Sequence, residues 1–295
     1  MLKKISWFQA FANIILLLLA ASCILPFLLL VSSSFSSENA LIRYGYNFFP
    51  KEFSLDAYRY ILQKSEVIFN AYGITFLVTA AGVSLSLLIT ILLAYPLSRR
   101  ELRFKRLLSF YVMLTMLFNG GLVPYYIMWT RGFGIKNTIW ALLLPNLLLN
   151  AFSVMMARSF FLSSIPEEVI EAARIDGASE YRILYKIVAP MSKPIIATLG
   201  LMSVLGYWND WTNGLYFITN TKLYSVQQLL NQMLLNVQFL ATVSKVGQAG
   251  VAGMQMPSVG IRMAIAVLGV IPIMIAYPFF QNYFVKGITI GAVKG

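Results

Sequence analysis

The sequence predicts an all-α integral membrane protein with six transmembrane helices. Three observations carry that reading. Apolar residues make up 59% of the 295-residue chain and charged residues only 12%, against roughly 25% charged in soluble domains. Mean hydropathy is +0.73. Six charge-free runs recur along the chain, most of them near the ~20 residues that a helix needs to cross about 30 Å of hydrocarbon.

The runs lie at 11–35, 67–98, 107–130, 137–157, 194–209 and 263–285. The first follows Lys3 and Lys4, but its apolar core exceeds the about 7–15 residues of a cleaved signal peptide, so it reads as an anchor. Between the first two runs, residues 36–66 mix acids, bases and aromatics around Pro50. The amphipathic stretch 56–63 makes that segment an ordered external cap. The fifth run is short, so its helix is placed from near Ile187, with Lys193 reaching the headgroups along its aliphatic stem. A seventh uncharged stretch, 223–244, carries Gln227, Gln228, Asn231, Gln232, Asn236 and Gln238, whose amides are expensive in lipid. Leu229, Leu230, Met233, Leu234 and Val237 recur at helical spacing, so this stretch is read as an amphipathic helix outside the bilayer. Pro26, Pro96, Pro145, Pro272 and Pro278 read as kinks, and Gly247, Gly250 and Gly253 as a flexible external loop. The domain reading is an N-terminal helix with its external segment (1–66), a five-helix core (67–285) with a structured loop at 158–192, and a tail (286–295).

Six spans place the connecting loops alternately on two sides. Lys3, Lys4, Arg99, Arg100, Arg103, Lys105, Arg106, Arg158, Arg174, Arg182, Lys186, Lys193, Lys286 and Lys294 share one side, 14 of the 23 basic residues. By the positive-inside bias that side is cytoplasmic, and both termini lie there. The net charge of +12 is therefore read as membrane orientation, not as nucleic-acid binding.

Whole classes of chemistry are excluded by what is missing. The chain has no His and one Cys, Cys23, which leaves no material for a His/Cys metal site, a Ser-His-Asp triad or a disulfide framework. No Gly-Lys dipeptide occurs, so there is no Walker A phosphate loop, and ATP cannot be hydrolysed by this chain alone. Proton coupling wants carboxylates or His at mid-membrane. The acid nearest a span, Asp210, sits at the outer end of the fifth. These absences leave no enzymatic chemistry, cofactor or metal site to assign to the chain itself.

The loop at 158–192 holds Glu167, Glu168, Glu171, Asp176 and Glu180, five of the eleven acids. Ser164 with Glu167 matches a capping box, Pro166 suits a first turn, and the two glutamates oppose the positive end of the helix dipole. Val169, Ala172, Ala173 and Asp176 fall on or near one face. Gly177 should end this helix in the left-handed conformation. Ser179 should cap a second one with Tyr181, Leu184, Tyr185 and Val188 as its apolar side, until Pro190 and Pro194 turn the chain into the fifth span.

These residues resemble the cytoplasmic signature loop of binding-protein-dependent ATP-driven (ABC) importer permeases. The resemblance is carried by Glu171-Ala172-Ala173, Gly177, Ile187 and Ala189-Pro190. The fuller string Glu-Ala-Ala-Arg-Ile-Asp-Gly-Ala resembles the carbohydrate-uptake class. Phe118-Asn-Gly-Gly-Leu-Val-Pro124 and Tyr207-Trp-Asn-Asp-Trp211 are similar to the subgroup that imports complex or uronate-containing oligosaccharides. Ala189 departs from the leucine usual in the family. The resemblance implies a type I ABC importer permease fold in a bacterial plasma membrane, with Glu171, Ala172, Ala173, Asp176, Gly177 and Pro190 on a coupling helix seated in a separate ATPase. It also implies the partners: a homologous permease, two ATPase subunits that hold ATP and Mg, an extracellular solute-binding (lipo)protein, membrane lipid and an oligosaccharide, but no nucleic acid. A gradient-driven secondary transporter, and an ABC permease for a non-sugar solute, are the competing readings.

Interrupted helices with freed backbone groups are where transport folds place ligands. Asn119, Gly120, Gly121 and Pro124 interrupt the third run, beside Tyr125, Tyr126 and Trp129. Gly206, Tyr207, Trp208, Asn209, Asp210 and Trp211 close the fifth. Aromatic plates beside amides suit sugar hydroxyls and C–H faces. The same aromatics would equally serve as an interfacial belt.

Overall fold

The computed structural model describes residues 7–63, 65–245 and 259–292. Helices dominate. Among the described residues the only extended pairing is an isolated bridge between Ser36 and Phe53. Two compact units emerge, one built from the chain up to Ile68 with Leu230–Pro272, the other from Phe69–Leu229 with the residues from Ile273.

In the first unit, α1 (Trp7–Ser34) is apolar around its whole circumference. None of its most apolar stretch is buried against protein, as expected of a helix whose solvent is lipid. Its last turn is anchored in the segment that follows: Ser32 Oγ donates to the Asn47 carbonyl at 2.7 Å and Ser34 Oγ lies 2.9 Å from Tyr58 Oη. That segment forms α2 (Glu38–Tyr44), capped by Ser37, and α3 (Asp56–Gln63), with the bounds the amphipathic stretch gives. The Glu38 carboxylate accepts the Val259 and Gly260 N–H groups at 3.1 and 3.2 Å. It thereby caps α15 (Val259–Ala292), a 34-residue helix, with negative charge on the positive end of its dipole.

The second unit begins with most of α4 (Ser65–Ser98). Three of the expected spans are not straight helices. The run 107–130 divides into α5 (Lys105–Leu117) and α6 (Leu122–Ile127), which continues as a π turn to Gly132, with a 112° bend between them. The break is local chemistry: Gly121 has φ +87° and donates its N–H to Asn119 Oδ1 at 2.9 Å. The run 137–157 is helical only over α7 (Trp140–Leu143) and from the start of α8 (Ala151–Ser164), because Pro145 and Asn146 (φ +61°) turn the chain between them. The fifth helix does not start near Ile187. An 82° bend at Ser192 separates the preceding helix from α12 (Lys193–Trp208). Among the described residues, α1 and α4 are long and apolar enough to cross a membrane unbroken, and the two bent pairs bring the number to four. After α12 come α13 (Thr212–Phe217), a 3₁₀ turn and α14 (Val226–Lys245), the amphipathic helix of the 223–244 stretch. The glycines at 247, 250 and 253 lie outside the described residues.

Two apolar cores organise this unit. One joins the end of α4 to α8, α12 and the 165–188 loop through Ala94, Leu97, Val154, Phe161, Ile170, Ile183, Val188 and Leu199. The other gathers Val78, Leu142, Leu143, Tyr207 and Phe217, with Tyr125, Tyr126 and Trp129 against it.

Candidate functional site

The loop 158–192 folds as a stiff elbow. Its first helix, α9 (Glu167–Ile175), has Pro166 as N-cap with no side-chain cap. Ser164 instead ends α8, so the expected capping box does not form. Ile170, 1% exposed, pins α9 into the first core. At the other end Gly177 adopts φ +78°. Ala178 N–H reaches the Ala173 carbonyl and Gly177 N–H the Arg174 carbonyl, both at 2.9 Å, the paired bonds of a Schellman motif. Ser179 accepts from Arg182 N–H and caps α10 (Glu180–Ile183). A π turn, Leu184–Val188, and the single turn α11 (Ala189–Met191) follow. Ile183, Leu184 and Val188 are buried, whereas Tyr181 and Tyr185 are 81% and 79% exposed. The expected apolar side is therefore half wrong: Tyr181 on α10 and Tyr185 in the π turn both face outward.

A polar network ties the elbow to the turn after α4. The Arg174 Nε donates to Glu180 Oε1 at 2.8 Å, its Nη1 donates to Glu101, and Tyr95 Oη donates to Glu180 Oε2 at 2.6 Å. Arg100 pairs with Glu167 at 3.2 Å, and Arg158 Nε donates to the Leu97 carbonyl at 3.0 Å. The Arg174 hydrogen bond holds the Glu101 carboxyl below its ordinary range. Burial pushes the Glu180 carboxyl up, but the hydrogen bonds from Tyr95 and Arg174 together outweigh it and leave that carboxyl lowered too. Glu171, Ala172, Asp176, Gly177 and Pro190 are exposed on this clamped frame and Ala173 is half-buried. Ile175 stands 86% exposed beside them.

A second constellation surrounds the break between α5 and α6. Asn119, Gly120, Tyr125, Asn146, Asn213 and Tyr216 help to line a cavity of about 710 Å³. A neighbouring one of about 710 Å³ shares Tyr125 and Asn146 and adds Asn150 and Trp129, and Asn146 also lines a smaller one of about 200 Å³. None of the residues lining these three cavities is charged. Of the sequence candidates, Asn119, Gly120 and Tyr125 come together here. The fifth-helix group serves packing and turn formation. Tyr207 is 3% exposed; its hydroxyl donates to the Leu143 carbonyl at 2.9 Å, and its ring lies against Gly82, while its edge touches only the smallest cavity. Trp208 meets the Phe76 ring edge-on at 5.2 Å. Asn209 bonds to the Leu205 carbonyl and accepts from Gln227. Asp210 Oδ1 accepts from Thr212 N–H and Oγ1 and from Asn213 N–H. Trp211 is exposed. Asn146 and Asn150 are masked by the charge-free run around them, although a Pro-Asn pair and an Asn ahead of an apolar helix are turn and cap signals.

The family model described as the binding-protein-dependent transport system inner membrane component matches residues 86–290. The chain belongs to this family. Both the elbow and the amide-lined cavities fall inside the matched segment of this inner membrane component. Among curated relatives, Protein LplC of Bacillus subtilis is 36% identical over 93% of this chain and 90% of its own length. The polygalacturonan/rhamnogalacturonan transport system permease protein YtcP of the same organism is 35% identical over 95% and 96%. A chain of a bacterial ABC transporter involved in the import of the acidic polysaccharide alginate superposes with a TM-score of 0.80 at 28% identity, covering 94% of this chain and 96% of that one.

Proposed function

We propose that this chain is the permease subunit of an ATP-driven, binding-protein-dependent oligosaccharide importer in a bacterial plasma membrane. It crosses the membrane six times with both termini in the cytoplasm. A homologous permease completes the translocation path, two ATPase subunits bind ATP and Mg, and an extracellular solute-binding protein delivers the sugar. The elbow at 158–192 is the coupling element. Glu171, Ala172, Asp176 and Gly177 sit in the ATPase cleft, with Ala173 and Pro190 shaping the element.

One observation supports this reading above the others. The elbow is rooted in a buried core and clamped by Arg174, yet it presents Ile175 and Tyr185 to solvent. Covering such side chains stabilises by about 1.5–3 kcal/mol each, and a rigid, capped element transmits displacement where a loose one would absorb it. Sugar passes the uncharged cavities at the α5–α6 break, where amides and aromatic faces match hydroxyls and C–H surfaces. The names of the relatives support the sugar class. The mechanical cycle follows: the loaded receptor docks outside, ATP closes the ATPases, and the elbow's displacement alternates access to the path.

The test is site-directed cross-linking in the complete assembly. In a Cys23→Ser chain, Ala172→Cys should cross-link to a cysteine placed in the ATPase cleft, and the yield should change with nucleotide. An elbow that reacts only with small reagents in solution would sink the assignment. So would uptake that survives ATP depletion but collapses with an uncoupler.

A further inference from the structure

We propose that the cleft where α4 ends against the elbow binds an anionic phospholipid, with an acyl chain on its apolar wall and the phosphate on Arg99. This rests on the cytoplasmic placement of that face given above. The cleft encloses about 610 Å³, and Leu92, Pro96, Leu102 and Leu184 form its apolar wall. It lies at the last two turns of α4, where the charge-free run gives way to a segment, 99–106, with five basic residues against Glu101. A helix leaving the hydrocarbon reaches the headgroup level at such a boundary.

The charges around the cleft single out Arg99. Its two carboxylates, Glu101 and Glu180, are both engaged by Arg174, and Arg100 pairs with Glu167. Among the described residues no carboxylate pairs with Arg99: its Nε donates to Ser98 Oγ at 3.1 Å, and its guanidinium lies 5.0 Å from the Tyr95 ring centroid. That leaves both Nη groups for the oxygens of a phosphate, in the planar geometry guanidinium uses for that ligand. Arg103, Lys105 and Arg106 follow on the same connector and attract acidic lipid further. A free phosphate would have no use for the leucine wall. A zwitterionic lipid would fill the wall and gain little from the surrounding cations. An acidic phospholipid satisfies both. Because the lipid would press on the same turn that Arg174 ties to the elbow through Glu101, its occupancy links bilayer composition to coupling.

The test uses the complete assembly reconstituted in phosphatidylcholine alone or in an equal mixture with phosphatidylglycerol, then released for native mass spectrometry. The wild type should retain phosphatidylglycerol in preference to phosphatidylcholine. Arg99→Gln should lower that retention about fivefold, the order expected from losing one cation beside an acidic lipid, and Leu92→Trp, which fills the wall, should lower it too. Arg43→Gln, on the external helix α2, should leave it unchanged. Equal retention of both lipids, retention insensitive to both cleft variants, or displacement by millimolar inorganic phosphate would overturn the proposal. Sidedness is read separately from Lys105→Cys in a Cys23→Ser chain, with an impermeant maleimide on right-side-out and inverted vesicles. Labelling from outside defeats the cytoplasmic placement. Labelling from inside with unaltered lipid retention defeats the lipid site alone.

Discussion

Gly177 offers a test in which backbone geometry and side-chain size predict opposite orders. Its φ is +78°, and a Cβ built there meets nothing within 4 Å, so replacing it carries a conformational penalty and no steric one within the chain. For an L-residue with a Cβ that penalty is about 1–2 kcal/mol, or a factor of about 5–30 in the population of the Schellman turn. Asn visits the left-handed region more readily than Ala. Proline cannot reach it, and it would also delete the N–H that bonds to Arg174, at about 3 kcal/mol or more. Receptor-stimulated ATPase activity of reconstituted assemblies should therefore fall in the order Gly, Asn, Ala, Pro, while all four proteins insert in comparable amounts. If the position were governed by space against a partner, the smaller Ala would outperform Asn. That order, or an alanine variant indistinguishable from wild type, would refute the geometric reading.

Three further outcomes are expected. Gly82→Ala places a methyl 2.4 Å from the Tyr207 ring, which its bond to Leu143 and its burial hold in place; thermal unfolding of the purified complex should show a loss of about 1–3 kcal/mol or more, and Tyr207→Ala in the same chain should make the pair less damaging than the sum of the two. Ile170→Ala empties the socket of α9 and should cost about 2–5 kcal/mol, seen as earlier proteolytic cutting between residues 164 and 192 with uptake lost in parallel. The Glu101 and Glu180 carboxyls are lowered, so their contribution is fully present above the ordinary carboxylate pKa of about 4.3 and is lost as pH falls through their depressed values. Protease resistance of the elbow should thus hold from neutral pH to about 5 and fall below about 4, and Arg174→Gln should flatten that dependence. Both carboxylates are about half exposed, so the effect should be modest and weaken with salt.

Much of the architecture was legible in the residues. A charge-free run reports that a segment prefers lipid, and α1 and α4 follow their runs closely. Charge absence says nothing about straightness, however: the Asn-Gly-Gly and Pro signals mark the interruption of 107–130, whereas 137–157 reads as one continuous run and is not. Their bends are set by two or three residues each, Asn119 bonding to Gly121 and Asn146 taking a positive φ. In the elbow, Gly177 and Ser179 announce their roles because caps are local. Tyr185 faces outward from a π turn that has no sequence signature. The Arg174–Glu101 pair spans 73 positions, a separation at which pattern carries no information about contact. The fifth-helix aromatics suit either a sugar path or packing by type alone, and only the fold shows Tyr207 and Trp208 engaged in backbone and ring contacts.

The carboxylate of Glu38 has a bearing on how the molecule is made. It holds the first turn of α15 from a position 221 residues earlier in the chain, so the ribosome delivers this socket long before its plug. Folding must therefore include a closure between two segments made 221 residues apart, and a Glu38→Ala chain should be slowed at that step.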